Sequence, residues 1–219
     1  MSSLVPPKNP NAPIAPTQYE VRYQDALNNV NRLYYNQIDN GLASLYGPNG
    51  GQYLSFPHVA ASYSDNQYPD GDNTPTLVLW DNAESISGFT LNIDGSATCN
   101  VSGIYKITYS LQLVNNATAE HVAHVWLKTD GTLVPRSTTE FTLPKATSVD
   151  SYVCAYSEVV FEIVAGEEIR LYWATDKAAT SGGTKGIYMY YEAAQVSPYE
   201  RPAIPSAIGS ITFVSRSAA

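Results

Sequence analysis

Between Gly103 and Leu113 the chain alternates two chemistries: Tyr105, Ile107, Tyr109, Leu111 and Leu113 share one parity, Lys106, Thr108, Ser110 and Gln112 the other. Successive side chains of a strand point to opposite faces, so the first set needs a core and the second needs only water or a polar partner. Similar alternation, or short runs rich in β-branched and aromatic residues, recurs downstream. It predicts strands at 76–80, 88–93, 97–101, 104–114, 120–129, 140–143, 151–164, 168–175, 186–193 and 208–215. Turn signals separate them, among them Asp94-Gly95, Asp130-Gly131, Ala165-Gly166 and Ser181-Gly182-Gly183. Many short antiparallel strands at this spacing make a sandwich or a barrel. Its core should take the inward set of 105–113 with Val125, Leu127, Val159, Phe161, Ile163, Ile169, Leu171, Ile187 and Met189.

The N-terminal quarter follows other periods. Residues 1–18 hold five prolines and few large apolar groups, the text of an extended arm that lies on something else. From 19 to 46, Tyr23, Leu27, Val30, Tyr34, Ile38, Leu42 and Leu45 recur at steps of three and four, which predicts an amphipathic helix closed by Gly47-Pro48-Asn49-Gly50-Gly51. The stripe approaches a heptad seam but is too short to define a coiled coil by itself, so a helix lying on its own domain is the competing reading. Asparagines around the stripe lower helix propensity, and something must therefore cover its apolar side. Residues 47–75 read as a turn-rich connector with room for one short strand, and 76–219 as the β head.

Composition narrows the function. Twelve Lys and Arg against twenty Asp and Glu give a net charge of −8 and argue against a phosphate-binding surface, hence against nucleic acid as a partner. No apolar run is long enough to insert in a membrane, and the N-terminus lacks the charged start and apolar core of a signal peptide, which implies synthesis in a cytosol. Cys99 and Cys154 both sit in strand-like text and read as small buried hydrophobes, with a cross-strand disulfide as the alternative. His121 and His124, three apart on a strand, point to opposite faces and cannot chelate one metal together. Asp65, Asp70 and Asp72 fit no calcium-loop spacing and read as a solvated turn. No serine stands in a nucleophile-elbow context. No cofactor and no catalytic set are expected.

The run from Gly103 to Tyr109, followed by Val125 to Gly131 with its Asp-Gly hairpin, and then Glu158 to Leu171 turning through Ala165-Gly166-Glu167, resembles the jelly-roll head of complement-type and tumour-necrosis-factor-like trimers. A closer resemblance is to virion structural proteins of tailed phages of marine bacteria and cyanobacteria. It is carried in order by "YQDALNNVNRLYYNQIDN", "YLSFPHVAA", "GIYKITYSLQL", "HVAHVWLKTDGTLVP" and "PAIPSAIGSITFVS". The resemblance implies an all-β jelly-roll sandwich preceded by one amphipathic helix and a Pro-rich arm. It further implies a non-enzymatic homotrimer in the virion, a capsid decoration or head-fibre protein whose partners are its own copies and other virion proteins. Tyr23, Leu27, Val30, Tyr34, Ile38, Leu45, Tyr172, Tyr188 and Tyr190 are the expected trimer contacts, and Leu4, Val5, Pro6, Pro7 and Ile14 the expected particle anchor. The alternative is a tail-fibre module that binds host surface glycan through exposed Tyr, Trp and Asn.

Overall fold

The computed structural model describes residues 11–14, 16–46 and 56–216. The helix and the sandwich belong to separate units divided between residues 55 and 56. In the first unit, helix α1 runs Val21–Tyr46. Tyr23, Leu27, Val30, Tyr34 and Ile38 are half-buried along one side of it, while Leu33, Tyr35 and Leu42 are exposed. No described helix is long and apolar enough to cross a membrane.

Among the described residues the second unit holds thirteen strands: β1 His58–Tyr63, β2 Thr76–Leu77, β3 Asn82–Ser87, β4 Phe89–Leu91, β5 Ala97–Cys99, β6 Gly103–Asn115, β7 His121–Thr129, β8 Thr132–Leu133, β9 Thr139–Leu143, β10 Ser151–Ile163, β11 Glu168–Thr175, β12 Ile187–Met189 and β13 Ala207–Ser215. The first sheet has the order β10-β6-β13-β1-β3, with β12 also on β6; the second has β4-β5-β11-β7-β8, with β2 on β11 and β9 on β7. All these pairings are antiparallel. From β5 the chain crosses to the first sheet for β6, back for β7 to β9, across again for β10, back for β11, and ends in the first sheet with β13. That repeated crossing between β10-β6-β13-β1 and β9-β7-β11-β5 is the connectivity of a jelly roll.

The core forms where the alternation requires it. Tyr105, Ile107, Tyr109, Leu111 and Leu113 are buried against Val125, Leu127, Ile163, Ile169, Leu171, Ile187 and Met189. Tyr105 packs edge-on to both Phe89 and Phe213, which ties the sheets together at one end. Val159 and Phe161 are partly covered, because β10 is an edge strand.

Several expectations are altered. Residues 58–63 form the one short strand for which the connector had room, but it is an inner strand of the first sheet, between β13 and β3, rather than part of a link. The predicted strands at 76–80, 88–93 and 186–193 shorten to Thr76–Leu77, Phe89–Leu91 and Ile187–Met189. Beyond the first of these, one side chain and one isolated backbone bond replace the ladder: buried Gln67 accepts from the Leu79 N–H at 2.7 Å, and Asp81 N–H donates to the Ser62 carbonyl. Cys154 is exposed rather than buried. It lies on the outward parity of β10 beside Ser110, whereas Cys99 is buried in the second sheet, and both thiols are free.

Candidate functional site

The feature of the sandwich that asks for a partner is the outward side of β10 and its neighbours. β10 pairs with β6 over thirteen residues, Ser151↔Asn115 to Ile163↔Gly103, and ends the first sheet. Strand parity sends Tyr152, Cys154, Tyr156, Glu158, Val160 and Glu162 outward, and all six are exposed. Register sets Tyr156 beside Ser110, and Ser110 beside exposed Ile208 of β13. Small polar groups fill the middle of this face, where Thr108 and Ser210 hydroxyls meet at 2.7 Å. The result is an aromatic and aliphatic margin around a shallow polar strip.

One end of the face is a tyrosine cluster. Tyr68 stacks on Tyr188, Tyr188 meets Tyr190 edge-on, and Tyr190 meets Tyr152 edge-on. Val114 lies between Tyr152 and Tyr188 in register and is fully buried, although its parity points it outward. Burial, reinforced by Asp150 and the neighbouring tyrosines, pushes the Tyr188 phenol up to about 12. Tyr152 is shifted the same way by burial, then by Tyr190, Asp150 and Glu192. These hydroxyls stay protonated near neutral pH and offer area plus a donor. The resemblance to trimeric heads singles out Tyr188 and Tyr190; Tyr68 and Tyr152 join them through tertiary packing, and the outward parity of 151–163 is the signal for Tyr152.

Tyr172 is elsewhere. It lies on the outer side of the second sheet, stacked on Trp126 with the Lys128 ammonium 4.7 Å from its ring centre, and Arg170 beside it bridges Glu168 and Asp94. The sandwich therefore puts Tyr172 on a different sheet from Tyr188 and Tyr190, the two parallel rows in which a subunit contact is expected. The Tyr23, Leu27, Val30, Tyr34 and Ile38 side chains share one side of α1. The side chain of Leu45, and all of Leu4, Val5, Pro6 and Pro7, lie outside the described residues; Ile14 is 96% exposed.

The polar groups with chemical potential pair off separately. His121 Nδ1 is 3.1 Å from Asp176, and His124 Nε2 is 3.1 Å from Glu140. Asp72 accepts from the Ala178 N–H and from Lys177, which hold its carboxylate below the usual range. Among the described residues no group of three or more His, Cys, Asp or Glu is placed to hold a metal ion.

No protein-family model matches the sequence, and no curated protein matches it. Among solved structures the sandwich is similar to the globular domain of zebrafish complement 1qA protein, at a TM-score of 0.45 and 10% identity, over 74% of this chain and 100% of that one. It is similar also to murine APRIL, at a TM-score of 0.42 and 15% identity, over 73% of this chain and 100% of that one. The strand order defines the jelly roll independently of either likeness.

Proposed function

We propose that the chain is a non-enzymatic structural protein of a phage virion, a homotrimer that decorates the capsid or forms a short head fibre. One observation carries the self-association: the 13-residue edge strand β10, whose outward side presents Tyr152, Tyr156 and Val160 to solvent at more than half of their full exposure. An unprotected edge of this length is a liability in a lone subunit, and natural sheets pair or cover such edges. A neighbouring copy would remove the apolar margin from water and accept the tyrosine hydroxyls at its rim. The apolar side of α1 has the same need, and three copies in parallel would bury it in a seam. A cyclic assembly uses two different patches of each subunit, so Tyr172 on the second sheet and the tyrosines on the first can both serve.

The placement on a virion rests on the sequence resemblance over the helix, β6, β7 and β13. In this reading the Pro-rich arm of residues 1–18 is the attachment to the particle. Light scattering at micromolar concentration tests the assembly: three times 23.8 kDa is expected, and a monomer mass overturns it. Deleting residues 1–18 should leave the assembly intact and abolish loading onto particles; normal loading would overturn the anchor.

A further inference from the structure

Away from β10, on the side of the first sheet where β1 lies, an open cleft of about 490 Å³ is lined by Tyr63, Leu79, Trp80, Asp81, Leu91, Asn92 and Ile93. Its volume falls in the range of roughly 300–1,000 Å³ typical of small-molecule sites. We propose that this cleft binds a neutral pyranose sugar, with the Trp80 indole as its stacking platform and Asp81, Asn92 and Tyr63 as its hydroxyl partners.

The platform is fixed from both sides in sequence. Before Trp80, buried Gln67 takes the Leu79 N–H with its oxygen at 2.7 Å and gives its amide to the Leu79 carbonyl at 3.4 Å. After it, Asp81 N–H donates to the Ser62 carbonyl, and one Asp81 carboxylate oxygen accepts the Ser64 N–H. The tip of its ring reaches under β13 at Gly209, where a side chain would collide with it, and packs against the core. A ring held this way against the backbone loses little freedom when a ligand stacks on it, and pre-organisation of that kind raises affinity.

The polar rim matches the hydroxyls of a sugar. The Asn92 amide nitrogen is spent on Ser96, Thr98 and Glu168, which turns its carbonyl into the group available as an acceptor. Asp81 has a second carboxylate oxygen beyond the one that takes Ser64 N–H. Partial burial, then Asp65 and Asp81, keep the Tyr63 hydroxyl protonated and so a donor. Leu79, Leu91 and fully exposed Ile93 add apolar surface beside the indole. A pyranose has one face of C–H bonds and a perimeter of hydroxyls that donate and accept, and this cleft offers the complement of both. A wholly apolar ligand would strand the two acceptors, and a cation would have to give up hydration for one partly used carboxylate.

The cleft lies at the opposite end of the first sheet from β10. The test is saturation-transfer NMR and calorimetry on the full chain with the methyl glycosides of glucose, galactose, mannose and N-acetylglucosamine at millimolar concentration, and with choline as a cation probe. At least one glycoside should bind. Trp80→Leu and Asp81→Ala should each weaken it by about tenfold or more, whereas Trp126→Leu on the outer side of the second sheet should not. If Trp80→Leu does not fold, Asp81→Ala with an unchanged melting curve decides alone. Binding that ignores the Asp81 substitution, choline in place of any glycoside, or no binding by all four glycosides overturns the proposal.

Discussion

A Cβ placed on Gly209 would stand 2.7 Å from the Cη2 atom of Trp80, closer than any side chain tolerates. Gly209→Ala must therefore lift the indole or push β13 outward. Overpacking of this kind costs about 1–3 kcal/mol, and thermal melting should fall by several degrees, at about 2–4 °C per kcal/mol for a chain of this size. An unchanged melting temperature would mean that the ring is free to move.

Asn115 ends β6 fully buried, and its side chain does the work of a short strand. Its amide nitrogen donates to the carbonyls of Ala119, Leu143 and Pro144, and its oxygen accepts the Ala117 N–H. Leucine has nearly the same shape and none of these bonds, so Asn115→Leu leaves buried polar groups unpaired. A loss of about 2–4 kcal/mol is expected in denaturant unfolding.

Tyr156 is exposed on β10, so a charge there should cost the lone subunit less than about 0.5 kcal/mol. Inside an assembly the same charge would be desolvated. Tyr156→Arg should reduce the mass in light scattering to that of one chain while leaving the far-ultraviolet circular dichroism as it was.

The two thiols should behave differently. Cys154 is exposed in the subunit and Cys99 is not, so a thiol reagent should modify one group quickly in dissociated native protein and two after unfolding. In the assembled state the Cys154 reaction should slow as well. Since neither thiol is bridged, adding reductant should leave the melting temperature where it was.

Acid should weaken the loop at Asp94 before it weakens the core. The Ser96 hydroxyl and N–H, then Arg170, hold the Asp94 carboxyl below its ordinary value. The folded state thus binds this proton less readily than the unfolded one. Its contribution is complete above the unfolded value of about 3.9 and disappears as pH falls through the lower folded value. Melting temperature measured against pH should decline less steeply below about pH 4 for Asp94→Asn than for the unaltered chain.

The strands that could be read from the sequence are those whose burial writes the alternation. β6, β7, β10, β11 and β13 each match their predicted limits within one residue, because one parity of each faces the core. β3 carries "NAESIS" with little of it covered; its pairing with β1 is a matter of backbone hydrogen bonds, which leave no trace in side-chain type. Cys154 is misread when its small apolar character is weighed above its parity, since Val159, Phe161 and Ile163 set the odd positions of this strand inward and Cys154 outward. The Trp80 cleft was invisible for a different reason: Gln67, Gly209 and Asn92 are far apart in the chain and meet only through the topology.

β13 is the middle strand of the first sheet, between β6 and β1, yet it follows every other strand in sequence. During synthesis β1 must wait through some 150 residues, from Ala60 to its partner Ser210, before it has a neighbour on that side. Closing so long a loop is slow, and surfaces left open in the interval favour aggregation. A ribosome that stops before residue 207 would release a chain whose sheet is split down its centre. Completion of the first sheet therefore waits on β13, and a marker peptide placed after that strand would report on completed sandwiches more faithfully than one placed before the helix.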